Sequence, residues 1–396
     1  MRFREEIGES LTLGFAEAAA RRREAGLPIL SLGLGEPDFA TPSPLVEAVT
    51  EVLGEGNARY SSPLGVQGLR ERIAQKLRDE NGVPAEANRI LVAGGAKQAL
   101  SLILMAMLVP GDEVIVITPA FVSFVPQVYL AEPDATVHVV GVDRDTQALP
   151  LDEIEALAGP KTKAILINSP NNPAGFIHPG DQLQRLLSIA EAVDAYVISD
   201  EVYEKLVFGD RSHESIGALE SAVERVVTIN GFSKSHALTG WRIGYATLPA
   251  ALAGRVSKIQ GHVNTNTNTF VQRALERAWD IDCPHLPPYL DTLRCRAARV
   301  QRWLDAVPQL RGAVPNAGFF AFIDASALGM DSNAFCGALL EERGVATTPG
   351  LAFGRDWDDH FRLSFAVDND TLTQALEEIA AFAAERADAE KSEGAA

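Results

Sequence analysis

Cysteine is scarce in this chain of 396 residues: Cys283, Cys295 and Cys336 are an odd set with no CxxC pair. That argues against a disulfide framework and a cysteine-based zinc site, and leaves packed thiols as the expectation. The seven histidines include no HExxH, and no histidine or carboxylate cluster has metal-ligand spacing, so no metal is expected. Basic residues are in deficit, 35 against 53 acidic ones, and a net charge of −18 opposes nucleic acid and anionic lipid, which both demand clustered Lys and Arg. Long apolar runs are missing too. The most lipid-like, Ala99 to Val109, is far short of the ~20 residues that span a bilayer, and the opening MRFREEIGES has no apolar signal-like core. These absences predict a cytoplasmic protein with neither nucleic acid nor membrane as a partner. A Walker A loop and a GxGxxG fingerprint are also absent, which removes two common nucleotide cradles.

What is present is a regular alternation. Seven β-branched runs, "RILVAGG", "DEVIVITP", "TVHVVGV", "KAILINSP", "AYVISDE", "RVVTING" and "IGYATLP", are separated by helical patterns between about residues 90 and 250. Strand, helix, strand at this spacing predicts an α/β fold around a largely parallel sheet with helices on both faces. Helix candidates flank it at Leu11 to Ala25, within Ala251 to Trp279 and at Tyr289 to Val307, followed by a smaller mixed α/β region. The expected organisation is a central domain over 46–284 and a smaller one built from both chain ends, 1–45 and 285–396. The tail "ERADAEKSEGAA" reads as a frayed helix end or disorder.

In such sheets ligands sit at the carboxyl ends of strands, so the residues after each run carry the argument. "AGGAKQAL" places Gly94, Gly95 and Ala96 before a helix, a phosphate cup candidate, although GG before a helix is by itself also a plain turn. "TPAFVSF" offers Phe121, an aromatic plate or a core residue. "NSPNNPAG" sets Asn172 in a Pro/Gly turn, with an amide able to bind a ring oxygen or a carboxylate. "ISDEVY" leaves Asp200 at the end of an apolar strand, where an ionised carboxylate needs a cationic partner, with Tyr203 close behind. "INGFSKSHALTGWRIGY" then supplies Lys234 among small and aromatic neighbours, where a buried amine must be neutral, paired or covalently used. Each feature has a bland reading alone. Together on one sheet edge they match pyridoxal phosphate chemistry, in which a lysine binds the cofactor aldehyde, a carboxylate holds the pyridine nitrogen and backbone amides with an arginine clamp the phosphate.

On "SLGLGEPDFATP", "YSSPLGVQGLR", "AGGAKQAL", "NSPNNPAG", "SDEVY", "GFSKSHALTGWRIGY" and "FRLSFA", the chain resembles the class I/II pyridoxal phosphate-dependent aminotransferases of fold type I over nearly its whole length. It is most similar to the branch holding bacterial aspartate aminotransferases. The resemblance implies a mostly parallel seven-stranded sheet and a ping-pong transfer of an amino group between an L-amino acid and a 2-oxo acid. It implies Lys234 as the Schiff-base lysine, Asp200 on the pyridine nitrogen, Asn172 and Tyr203 on the ring oxygen and Phe121 stacked on the ring. Gly95, Ala96 and Lys97 would bind phosphate through their backbone with Ser233 and Arg242, and Tyr60 would reach the phosphate of a neighbouring subunit, so a homodimer with shared sites is implied. Arg362 would grip the substrate α-carboxylate by a planar fork, assisted by Gly35 and Asn172. Lys97 reads two ways, as a solvated first-turn residue or as the partner of a distal carboxylate on acidic substrates. Two positions depart from the common pattern: Gly231 stands where relatives carry a phosphate-binding Ser, and Phe121 where many carry Trp or Tyr. Because this cofactor serves several reactions, a lyase, decarboxylase, oxidase or cyclising enzyme is the alternative, and a non-catalytic regulatory protein on the same scaffold is a further one.

Overall fold

In the computed structural model, which describes residues 7–56, 59–313 and 315–393, all seven runs are strands of one sheet. After a short β1 (Leu30–Ser31) they are β2 (Ile90–Ala93), β3 (Glu113–Thr118), β4 (Thr136–Gly141), β5 (Thr162–Asn168), β6 (Tyr196–Asp200), β7 (Val226–Gly231) and β8 (Gly244–Thr247). Their spatial order is β2-β8-β7-β6-β5-β3-β4. β7, β6, β5, β3 and β4 run parallel, and only β8 is reversed, antiparallel to both β2 and β7.

Apart from the partly exposed edge strand β4, the sheet is buried on both faces, as continuous rather than alternating apolar runs require. Alternate residues of β3 show it: Val114 and Val116 pack with Leu166, Ile198 and Ile229 on one face, while Ile115 and Ile117 join Ile165, Ile167 and Val197 on the other. The helices are α1 (Leu11–Glu24), α2 (Ser43–Gly54), α3 (Gln67–Asn81), α4 (Ala96–Met107), α5 (Phe124–Ala131) and α6 (Leu151–Leu157). They continue as α7 (Gly180–Ala192), α8 (Ala250–Val263), α9 (Thr269–Ala278), α10 (Leu286–Ala306), α11 (Ser332–Arg343) and α12 (Asn369–Glu393). α4 and α8 close the first face with Ile103, Leu104, Leu252 and Val256, and α7 closes the second with Leu183, Leu186 and Leu187.

The rest of the chain builds a second apolar cluster, with Leu293, Phe319, Phe335, Phe361 and Phe382 at its centre. Here β9 (Phe320–Asp324), β11 (Thr348–Pro349) and β12 (His360–Ser364) form an antiparallel sheet, and β10 (Val345–Ala346) pairs in parallel with β1. That pairing draws the two chain ends together, and Leu32, just after β1, sits in the same cluster. The tail departs from expectation, since α12 continues through Glu393 instead of fraying; Gly394, Ala395 and Ala396 lie outside the described residues. Among the described residues, no helix is long and apolar enough to cross a membrane. Cys283 and Cys336 are buried thiols, whereas Cys295 is exposed on α10, a correction to the packed reading of all three.

Candidate active site

A cavity of about 440 Å³ opens at the carboxyl edge of the large sheet, and it gathers residues from the ends of five strands. Ala96 and Lys97 follow β2, Phe121 follows β3, Asn172 follows β5, Asp200 ends β6 with Tyr203 just beyond, and Ser233 and Lys234 follow β7. Arg242 reaches the same edge because β8 is reversed, so that the residues before it lie where the others' loops lie. From the second apolar cluster, Gly35 and Arg362 close the cavity. Gly95 touches it through Arg242. Tyr60 does not enter the cavity of its own chain; it is 86 % exposed.

The anion cup is built by local geometry. Gly95 caps α4 with φ +91°, and a Cβ there would meet the Arg242 Nη2 at 2.6 Å, so only glycine admits the guanidinium against the helix start. No side chain caps α4, and its first amides face the cavity with the positive end of the helix dipole behind them. Arg242, itself at φ +53°, donates from Nη1 to the Thr239 carbonyl at 2.8 Å and from Nη2 to the Gly94 carbonyl at 3.3 Å. A bulky residue in the left-handed region is uncommon and marks a position held by its surroundings.

The titratable groups are displaced from their ordinary values. Burial raises the Asp200 carboxyl to about 7, and the neighbouring Glu201 charge adds to this against the Val202 N–H and Lys234. Burial lowers the Lys234 amine to about 8, Arg362 and Arg242 lower it further, and Glu36 and Asp200 oppose them. Its Nζ donates to the Gly35 carbonyl at 2.5 Å. Burial also raises the Tyr203 hydroxyl and lowers Arg362 to about 10. Arg362 is 5 % exposed and lies over the Phe320 ring at 4.1 Å. It donates to Asn172 Oδ1 at 3.0 Å and to the Gly33 carbonyl at 2.9 Å, its buried Nε has no partner, and no carboxylate pairs with it among the described residues. Lys97 stays exposed at the rim with its ammonium 5.2 Å from the Phe121 ring, and burial followed by Arg242 lowers its pKa.

This donor set fits the expected cofactor. Asp200 is a buried carboxyl without an ion-pair partner among the described residues, and a protonated heterocyclic nitrogen would supply one. The α4 amides and Arg242 suit a phosphate, and Asn172 keeps its Nδ2 for a ring oxygen because only its Oδ1 is engaged. Lys97, Lys234, Arg242 and Arg362 make the cavity cationic within an acidic protein, which favours ligands carrying phosphate and carboxylate.

Several residues here were not read from sequence. Asn168, 4 % exposed, lines the cavity immediately before the Ser-Pro-Asn-Asn turn, a position its place at the strand end could have signalled. Gly33, Glu36 and Phe320 line it, as do Ser10, Thr12 and Leu13 at the start of α1, which lies across the opening. Two clusters with metal-ligand geometry also escaped the spacing argument: Glu201, Glu204 and His213, and Asp324, Asp359 and His360. In the first, the Lys76 ammonium pairs with Glu204; in the second, Arg144 pairs with Asp359 at 2.6 Å. The first lies within the one connection after β6 at a spacing that matches no standard metal motif, and the second joins the end of β9 to the start of β12.

Comparison with known proteins agrees with the geometry. The family model for aminotransferase class I and II matches residues 28–379. An aspartate aminotransferase of Thermotoga maritima is 39 % identical, covering 95 % of this chain and 97 % of its own. An arginine–pyruvate transaminase of Pseudomonas aeruginosa is 36 % identical over 93 % of both. The structure of aspartate aminotransferase from Thermus thermophilus with maleate superposes with a TM-score of 0.88 at 33 % identity, covering 96 % of this chain and 99 % of that one. The chain belongs to the class I and II aminotransferases and is a pyridoxal phosphate-dependent enzyme of that family.

Proposed function

We propose that this aminotransferase takes dicarboxylic L-amino acids, aspartate or glutamate, as amino donors. The observation that carries the proposal is the charge of the cavity: Arg362 is a buried cation with no carboxylate partner among the described residues, and Lys97 is a second cation lining the cavity that Ser10 and Thr12 also line. One carboxylate on Arg362 is common to every amino acid, and a second, distal one would find Lys97 and the start of α1.

When bound, pyridoxal phosphate supplies an aldehyde for the amino group and a ring that accepts the electron pair released at the α-carbon. The protein's part is positioning and proton transfer. The Gly95–Ala96–Lys97 backbone, Ser233 and Arg242 would hold the phosphate, Phe121 would support the ring, Asn172 and Tyr203 would bind its oxygen, and Asp200 would favour a protonated ring nitrogen. Arg362, with Asn172 and the Gly35 backbone, fixes the α-carboxylate and so aims the Cα–H bond. Lys234 Nζ takes that proton and delivers it again within the site, and its lowered pKa, about 8, makes half of the amine neutral at about pH 8, far below the ordinary lysine range. Tyr60 serves the site of a second copy, since it is exposed and away from its own cavity, and the working form is accordingly a homodimer. Residues 46–284 act as the cofactor-binding domain, and 1–45 with 285–396 as the smaller one.

The test is a screen of common amino acids against several 2-oxo acids, with the bound cofactor's absorbance as the single-turnover readout. Stoichiometric oxo acid from aspartate or glutamate, faster than from alanine or arginine, is expected. Preference for arginine or a neutral donor would overturn the dicarboxylic assignment.

A further inference from the structure

We infer that Asn168 is a positioning residue that couples the cofactor-nitrogen end of the site to the substrate-carboxylate end. It is the last residue of β5 and stands in parallel register beside Asp200, the last of β6. Its Nδ2 donates to the Asp200 carbonyl at 2.7 Å, and its Oδ1 accepts from the Asn172 N–H, also at 2.7 Å. Asn172 in turn accepts from Arg362 through Oδ1 at 3.0 Å. Hydrogen bonds therefore link the Asp200 main-chain carbonyl through the Asn168 side chain to the Asn172 backbone, and the Asn172 side chain carries the link on to Arg362 on β12, whose Phe361 and Leu363 belong to the other apolar cluster.

The chemistry of the side chain explains the choice. A planar amide carries one acceptor and a pair of donors on a single short stem, so it can hold two backbone segments at a set separation. Here those segments present the Asp200 carboxyl and the Asn172 amide, both of which line the cavity. The Asp200 carbonyl also accepts from the Ser169 N–H at 3.1 Å, and the Val202 N–H donates to Asp200 Oδ1 at 3.3 Å, so both the backbone and the carboxyl of Asp200 are held. Buried polar groups linked in this way are strengthened by each other and are costly to leave unmatched.

The inference rests on the assignment of Asp200 and Asn172 to the cofactor. The test uses Asn168→Leu, which keeps the branched outline and removes both bonds, and Asn168→Ser, a smaller polar change that serves if the leucine variant does not fold. Cofactor affinity of the cofactor-free protein, its melting temperature, and kcat/KM are measured in the wild-type and Arg362→Lys backgrounds. Expected are a cofactor Kd raised by about tenfold or more and a kcat/KM lowered by at least about tenfold. In the Arg362→Lys background the further kinetic loss should shrink to about threefold or less, since residues acting through one network are not additive. A merely structural role would lower the melting temperature and multiply the two kinetic losses. Cofactor affinity within about twofold of wild type overturns the inference, and so does a fully multiplicative loss. Asp200→Ala, measured alongside, separates the levels: unchanged cofactor behaviour there removes the cofactor assignment itself, whereas a defect there with none at Asn168 removes only the positioning role.

Discussion

Replacing Arg362 by lysine tests whether the planar fork, rather than positive charge alone, selects the substrate. The guanidinium lies over Phe320 and donates to Asn172, Gly33 and Thr348 at 3.0, 2.9 and 3.3 Å. An ammonium keeps the charge but lacks the paired, coplanar N–H groups that meet both oxygens of a carboxylate. Losing one charge-assisted hydrogen bond of the fork costs about 1.5 to 3 kcal/mol, roughly a ten- to hundredfold fall in kcat/KM. Because every amino acid carries the α-carboxylate, the fall should be alike for aspartate, alanine and phenylalanine. Steady-state kinetics with each donor and one common acceptor measure it, with cofactor affinity as the control. A loss confined to aspartate and glutamate would refute the reasoning, because Arg362 would then be meeting the distal carboxylate.

Lys97→Ser should give the complementary pattern, lowering kcat/KM for aspartate or glutamate by about ten- to a hundredfold and leaving alanine nearly unchanged; equal effects on both would return Lys97 to the phosphate cup alone. The cofactor-free protein should lose stability as pH rises from the usual carboxylate range to about 7, because the folded state then binds the Asp200 proton that the unfolded state has released. It should gain stability from about 8 upward to the ordinary lysine value, where the unfolded state binds the proton that Lys234 has lost. Urea melts of wild type and Asp200→Asn check the first window, and a decline that survives the substitution contradicts the assignment. Gly95→Ala should weaken cofactor phosphate binding at least about tenfold, through its positive φ and the Arg242 contact, and calorimetric titration with the cofactor reads this directly. Tyr60→Phe should weaken cofactor binding by about 1 kcal/mol in a dimer, and sedimentation showing fully active monomers would rule out the shared site.

The large sheet was legible because most of its strands are apolar runs closed by Gly, Pro, Asn or Asp, and the cavity because its residues follow those runs directly. Lys234, Asp200 and Asn172 needed only local sequence to be placed at the edge. What was not legible depends on distant partners. Asn168 looks like the polar end of a strand until Asp200 and Asn172 are beside it. Lys76 sits on a helix whose charges look solvated, yet it is 1 % exposed because Glu204, far along the chain, meets it. The tail was misjudged from its small, charged composition, although Leu376, Ile379 and Phe382 earlier in α12 anchor the helix that it continues.

The position of α1 has a consequence for how such an enzyme can diversify. Ser10, Thr12, Leu13 and Ala16 line the cavity, yet they precede every strand and contribute nothing to the large sheet. Substrate preference can thus be rewritten by exchanging one leading helix while the catalytic floor beneath it is inherited intact. The same placement guides engineering: libraries varied at residues 10, 12, 13 and 16, with Phe15 left against the second apolar cluster, explore the entrance without touching the large sheet.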